Sequence, residues 1–65
     1  MNLIEILMAI DDKQSNPSKP RWARAFLKEV GVNPNIIDAI ITSMDSRGNF
    51  VNIDNQPVTL TYTVN

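Results

Sequence analysis

The chain has 65 residues, a net charge of −1, and neither cysteine nor histidine. That composition excludes disulfide staples, the usual zinc sites and every nucleophile–base pair built on a thiol or an imidazole. Hydrophobic residues make up 43% of the chain, which suits one globular domain spanning 1–65 rather than a disordered segment.

The apolar start, Met1 to Ile10, does not read as a signal peptide. It lacks a basic leading segment, carries Glu5, and places Asp11-Asp12 where a small-residue cleavage site belongs. It is also too short to cross a bilayer. A cytoplasmic location without membrane attachment is expected. Residues 3–13 instead predict a helix. Asn2 suits the N-cap, with Glu5 placed as in a capping box. Leu3, Ile6, Leu7 and Ile10 follow the spacing of one buried helical face. Ile4 and Met8 fall to one side of that face.

Residues 14–19 form a polar connector that Pro17 and Pro20 keep from continuing the helix. A second helix is predicted over 21–30, with Pro20 suited to its first turn. Trp22, Ala23, Phe26, Leu27 and Val30 share one arc, and Arg21, Arg24 and Lys28 lie opposite. Gly31 suits a left-handed C-terminal cap. Asn33-Pro34 then starts a third helix, predicted over 34–47, with Ile36, Ile37, Ile40, Ile41 and Met44 on its apolar arc. Gly48 is read as the stop of this helix, with Arg47 near its negative end. Strands are predicted over 50–54 and 58–64, joined by a turn at Asn55-Gln56-Pro57. Val58, Leu60, Tyr62 and Val64 alternate with Thr59, Thr61 and Thr63. No internal repeat is visible.

The helix Leu3–Ile10, the run FLKEVGVNPNIIDAIITSMDSRGNFV and the terminal hairpin together resemble a winged helix-turn-helix, with Gly31 in the turn and Gly48 before the first wing strand. The chain is similar to small stand-alone winged helices of phages and mobile elements. The resemblance implies an α+β fold, three helices followed by a C-terminal β-hairpin. It also implies action by contact, with DNA in some such proteins and with host proteins such as RNA polymerase in others.

As a DNA reader the chain offers Lys19, Arg21, Arg24 and Lys28 for phosphates, Asn35 and Thr42 for base edges, and Arg47 at the end of the third helix. Asp38 and Asp45 oppose that role, because they would face a negative groove. The same acidic face, with Thr42, suits a protein partner, as do Ile4 and Met8 off the core face of the first helix. A protein partner is therefore expected ahead of DNA, with a homodimer as one form of it. The chain reads as a regulator or inhibitor rather than an enzyme. Asp11-Asp12 is its one adjacent carboxylate pair, and adjacent helical residues point about 100° apart. Two glycines cannot build a phosphate loop. No cofactor, metal or small-molecule ligand is expected.

Overall fold

The computed structural model describes residues 2–60. Its regular elements are three helices, α1 (Leu3–Asp12), α2 (Lys19–Glu29) and α3 (Pro34–Thr42). The expected α+β architecture is not formed. Among the described residues there is no strand, only two isolated antiparallel bridges, Met44 with Phe50 and Val51 with Pro57. Residues 61–64 of the strand expected over 58–64 lie outside the described residues.

Local chemistry sets the helix ends. The Asn2 side chain accepts from the Glu5 amide at 2.9 Å, which satisfies one donor of the first turn of α1. α2 begins at Lys19, ahead of the expected Arg21, because the connector is itself a turn. The Asn16 carbonyl accepts from the Lys19 amide at 3.0 Å and its side chain from the Ser18 amide at 2.9 Å, with Pro17 inside. At its other end, Gly31 has φ 87°. The Val32 amide bonds back to the Leu27 carbonyl at 3.0 Å, and the Gly31 amide to the Lys28 carbonyl at 3.1 Å. That pair of bonds is a Schellman cap; Leu27 lies in the core it closes on and the half-buried Val32 packs against that core. Asn33 caps α3 by accepting from the Asn35 amide at 2.9 Å.

α3 stops at Thr42 rather than running to Arg47. Thr42 and Ser43 turn their hydroxyls back onto the carbonyls of Asp38 and Ala39, at 2.7 and 2.9 Å. Beyond them the backbone leaves the helix and pairs with Asn49–Val51. The Asp45 amide donates to the Asn49 carbonyl and the Val51 amide to the Ser43 carbonyl, each at 2.9 Å. The opposite edge of the same segment meets 56–58, through the Asn52 amide on the Gln56 carbonyl at 2.9 Å and the Val58 amide on the Phe50 carbonyl at 3.0 Å. Pro57 sits between these two bonds, at a position that needs no N–H.

These pairings reveal a repeat. In the first turn the Asp45 side chain accepts from the amides of Arg47 and Asn49, at 2.9 and 3.0 Å, and its carbonyl accepts from the Gly48 amide at 3.1 Å. In the second, the Asn52 side chain accepts from the amides of Asp54 and Gln56, at 2.9 and 3.0 Å, and its carbonyl accepts from the Asn55 amide at 3.0 Å. The fourth residue of each turn is left-handed, Gly48 at φ 78° and Asn55 at φ 60°. One turn design is thus used twice in a short meander that follows the helices.

The core joins Ile6 and Ile10 of α1, Ala23 and Leu27 of α2, Ile37 and Ile40 of α3, and Phe50 of the meander. α2 and α3 form the main helix pair. Trp22 and Phe26, one helical turn apart, stack with centroids 5.3 Å apart at the core's margin. The Lys13 ammonium lies 4.5 Å from the Trp22 ring centre, within cation–π range.

Candidate protein-contact surface

The residues expected to grip nucleic acid are mostly engaged within the fold. Lys19 is 1% exposed, and its ammonium donates to the Lys13 carbonyl at 2.7 Å, so it is absent from the surface stripe. Arg24 pairs with Asp38 at 2.8 Å. An exposed pair of this kind contributes roughly 0–1 kcal/mol, but it joins the basic stripe of α2 to the acidic face of α3. Arg24, Lys28 and Asp38 line one groove of about 350 Å³ with Val32, Pro34 and Ile37. Arg47 lies outside α3, in the first turn of the meander. Its guanidinium donates to the Ser15 carbonyl at 3.2 Å, and its own carbonyl accepts from the Asn16 amide at 3.2 Å. Arg21 and Lys28 are exposed and form no ion pair among the described residues. Asn35 is exposed in the first turn of α3.

The polar residues expected to meet a protein are also engaged. Asp38 holds Arg24, and the Thr42 hydroxyl donates to the Asp38 carbonyl. Asp45 is not on the helix. The Asn49 amide, the Asn49 side chain and the Arg47 amide hold its carboxyl below the ordinary carboxylate value, and the Arg47 charge adds to this. Its role is to build a turn.

Ile4 and Met8 remain on the surface, 44% and 36% exposed. With Leu7 and Leu60 they line an apolar groove of about 150 Å³. A second hollow of about 400 Å³ adjoins it, sharing Met8 and Leu60 and adding Glu5, Ala9, Asp11 and Asp12. The helical wheel singled out Ile4 and Met8 as extra to one small core. It did not place Leu60 beside them; the alternation of 58–64 only set Leu60 on one face with Val58, Tyr62 and Val64. Ile53 was also missed as a surface residue. It is 96% exposed within the second turn, where the strand expectation had hidden it.

Among the described residues no three His, Cys, Asp or Glu side chains are grouped to hold a metal ion, and no helix is long and apolar enough to cross a membrane. No family model matches the chain, and no curated protein or solved structure matches it.

Proposed function

We propose that this chain is a small non-enzymatic contact module that binds another protein through the outer face of α1, as a regulator or inhibitor does. The observation that carries this reading is the apolar groove of Ile4, Leu7, Met8 and Leu60, in which Leu7 and Leu60 pack against the core while Ile4 and Met8 stay exposed. Contiguous apolar surface left outside a core marks contact sites, and methionine adapts to irregular partner shapes. The nucleic-acid alternative has less support, since Lys19 is buried and Arg24 and Arg47 have partners within the chain.

Affinity capture from the source cells tests the reading. The full chain is compared with Ile4→Glu/Met8→Glu and with Arg21→Glu/Lys28→Glu. Retention of one protein species by the wild type and the α2 variant, and its loss from the α1 variant, supports the reading. Capture of nucleic acid that falls steeply with salt and disappears in the α2 variant overturns it.

A further inference from the structure

The α1 face has a charge pattern as well as an apolar one. Asp11 and Asp12 close the last turn of α1, and that turn carries no basic residue. Carboxylates there oppose the helix dipole, so the placement is locally unfavourable. Glu5, Asp11 and Asp12 make no ion pair among the described residues, and neither hollow on this face has a lysine or arginine in its lining. An unfavourable, unneutralised charge arrangement beside exposed apolar side chains is the local inconsistency expected of a working surface.

We infer that the outer face of α1 receives a basic amphipathic helix of a partner protein, and this inference rests on the contact function proposed above. Ile4 and Met8 stand four residues apart and form one row along α1. Rows of this spacing are ridges that fit the grooves of a second helix. α1 has ten residues and is about 15 Å long, and the row from Ile4 to Met8 spans about 6 Å of it, so it meets about one turn of a partner. An extended peptide is a poorer occupant, because a helix offers no unpaired backbone edge for it to join. Apolar residues of the partner seat against Ile4, Met8 and Leu60, and its lysines or arginines meet Glu5, Asp11 and Asp12. Those three carboxylates set the sign of the partner's charge.

The test uses the full chain and labelled synthetic helices, with fluorescence anisotropy as the readout. The probes are a leucine–lysine amphipathic helix, its leucine–glutamate and leucine–glutamine counterparts, and a scrambled leucine–lysine peptide. The leucine–lysine helix is expected to bind best. Ile4→Gln/Met8→Gln should abolish its binding, and Glu5→Gln/Asp11→Asn/Asp12→Asn should weaken it roughly tenfold and flatten its salt dependence. Ile4, Glu5, Met8 and Asp12 are exposed and Asp11 is half-buried, and circular dichroism checks that each variant keeps its helices. Equal affinity for the glutamate or glutamine helix, lost in Ile4→Gln/Met8→Gln, overturns the basic partner while keeping α1 as a contact face. No response of any peptide to Ile4→Gln/Met8→Gln overturns the inference as well, and loss of the captured species' dependence on that face then removes the parent reading. A dimer of the wild type, dispersed by Ile4→Gln/Met8→Gln in sedimentation, makes a second copy the occupant and overturns the inference. A roughly tenfold gain in affinity on Tyr62→Ser/Val64→Ser makes the chain's own end the occupant and does the same.

Discussion

The Lys19 side chain passes directly against Gly48. A Cβ added to Gly48 would lie 2.5 Å from Lys19 Cγ and 2.7 Å from its Cβ and Cδ. The contact joins the first residue of α2 to the first turn of the meander, and the Lys19 ammonium continues to the Lys13 carbonyl. Ser15 and Asn16 bind the same turn from the connector, the Ser15 hydroxyl meeting the Asn49 side chain and the Asn16 amide the Arg47 carbonyl. Gly48 is therefore needed for two reasons, its left-handed backbone and its missing side chain.

Those two reasons are separable. Gly31 has a similar φ, 87°, but open space where its Cβ would stand. Gly31→Ala should cost about 1 kcal/mol, the left-handed term alone. Gly48→Ala should cost about 2–4 kcal/mol, since the stem of a buried side chain must also move. Lys19→Ala in the same chain should recover part of the difference but not all of it, because Lys19 Cβ remains in the way. Lys19→Met keeps the stem and removes the ammonium, and it should change stability by no more than about 1 kcal/mol. Urea melts of the single and double variants measure these terms. Equal costs at the two glycines would refute the contact.

Asp45 predicts an acid-sensitive turn. Its carboxyl is held below the ordinary value of about 3.9 by the Asn49 amide and side chain and the Arg47 amide. A carboxylate with a lowered folded-state value contributes stability that is fully present above the unfolded value. That contribution is lost as the pH falls through the lower folded one. Asp45→Asn should thus be less stable than wild type at neutral pH, and the gap should close below about pH 4. Melts at stepped pH from 7 down to about 2 follow the gap, and taking the difference removes the titration common to both chains. A gap that stays constant to the lowest pH contradicts the proposed bonding.

The second turn uses an uncharged version of the same device, so its response should differ. Asn55 has φ 60°, where asparagine is tolerated and alanine is strained. Asn55→Gly should raise stability by about 0.5 kcal/mol and Asn55→Ala should lower it by about 1 kcal/mol. Asn52→Ala, which removes the acceptor for two amides, should cost about 1 kcal/mol. None of these effects should depend on pH between about 2 and 7, unlike that of Asp45→Asn. Thermal melts rank the variants, and a stabilising Asn55→Ala would contradict the turn's geometry.

The helices were largely legible because capping is local. Asn2, Asn33 and Gly31 declare their positions within three or four residues, and Ile6, Ile10, Leu27, Ile37 and Ile40 follow the helical period. The end of α3 was not legible. A glycine after an apolar stripe suits a helix stop, but here the same glycine closes a turn, its amide on the Asp45 carbonyl while the Asp45 side chain accepts from the Arg47 and Asn49 amides. Local side-chain bonds of this kind compete with a helix without altering its hydrophobic period. The repeat was hidden for a related reason. Asp45-Ser46-Arg47-Gly48-Asn49 and Asn52-Ile53-Asp54-Asn55-Gln56 share no residue at any matched position, and only their hydrogen bonding is alike. The surface was half legible. The wheel finds Ile4 and Met8, whereas the Arg24–Asp38 pair and the burial of Lys19 depend on contacts between segments distant in sequence.

Phe50 and Ile53 offer the sharpest test of the corrected fold. A continuous strand over 50–54 would put Phe50 with Asn52 and Asp54 on one face and Ile53 with Val51 on the other. In the structure the chain turns at Asn52, which leaves Phe50 8% exposed in the core and Ile53 96% exposed. Phe50→Ala should cost about 3–5 kcal/mol, enough to unfold a chain this small at ordinary temperature. Ile53→Ser should change stability by less than about 0.5 kcal/mol, since little apolar surface is buried there. Loss of the cooperative melt in Phe50→Ala beside an unchanged melt in Ile53→Ser is the expected pair of results. A large loss in Ile53→Ser would mean that Ile53 is packed, and would restore the strand that the turn at Asn52 replaces.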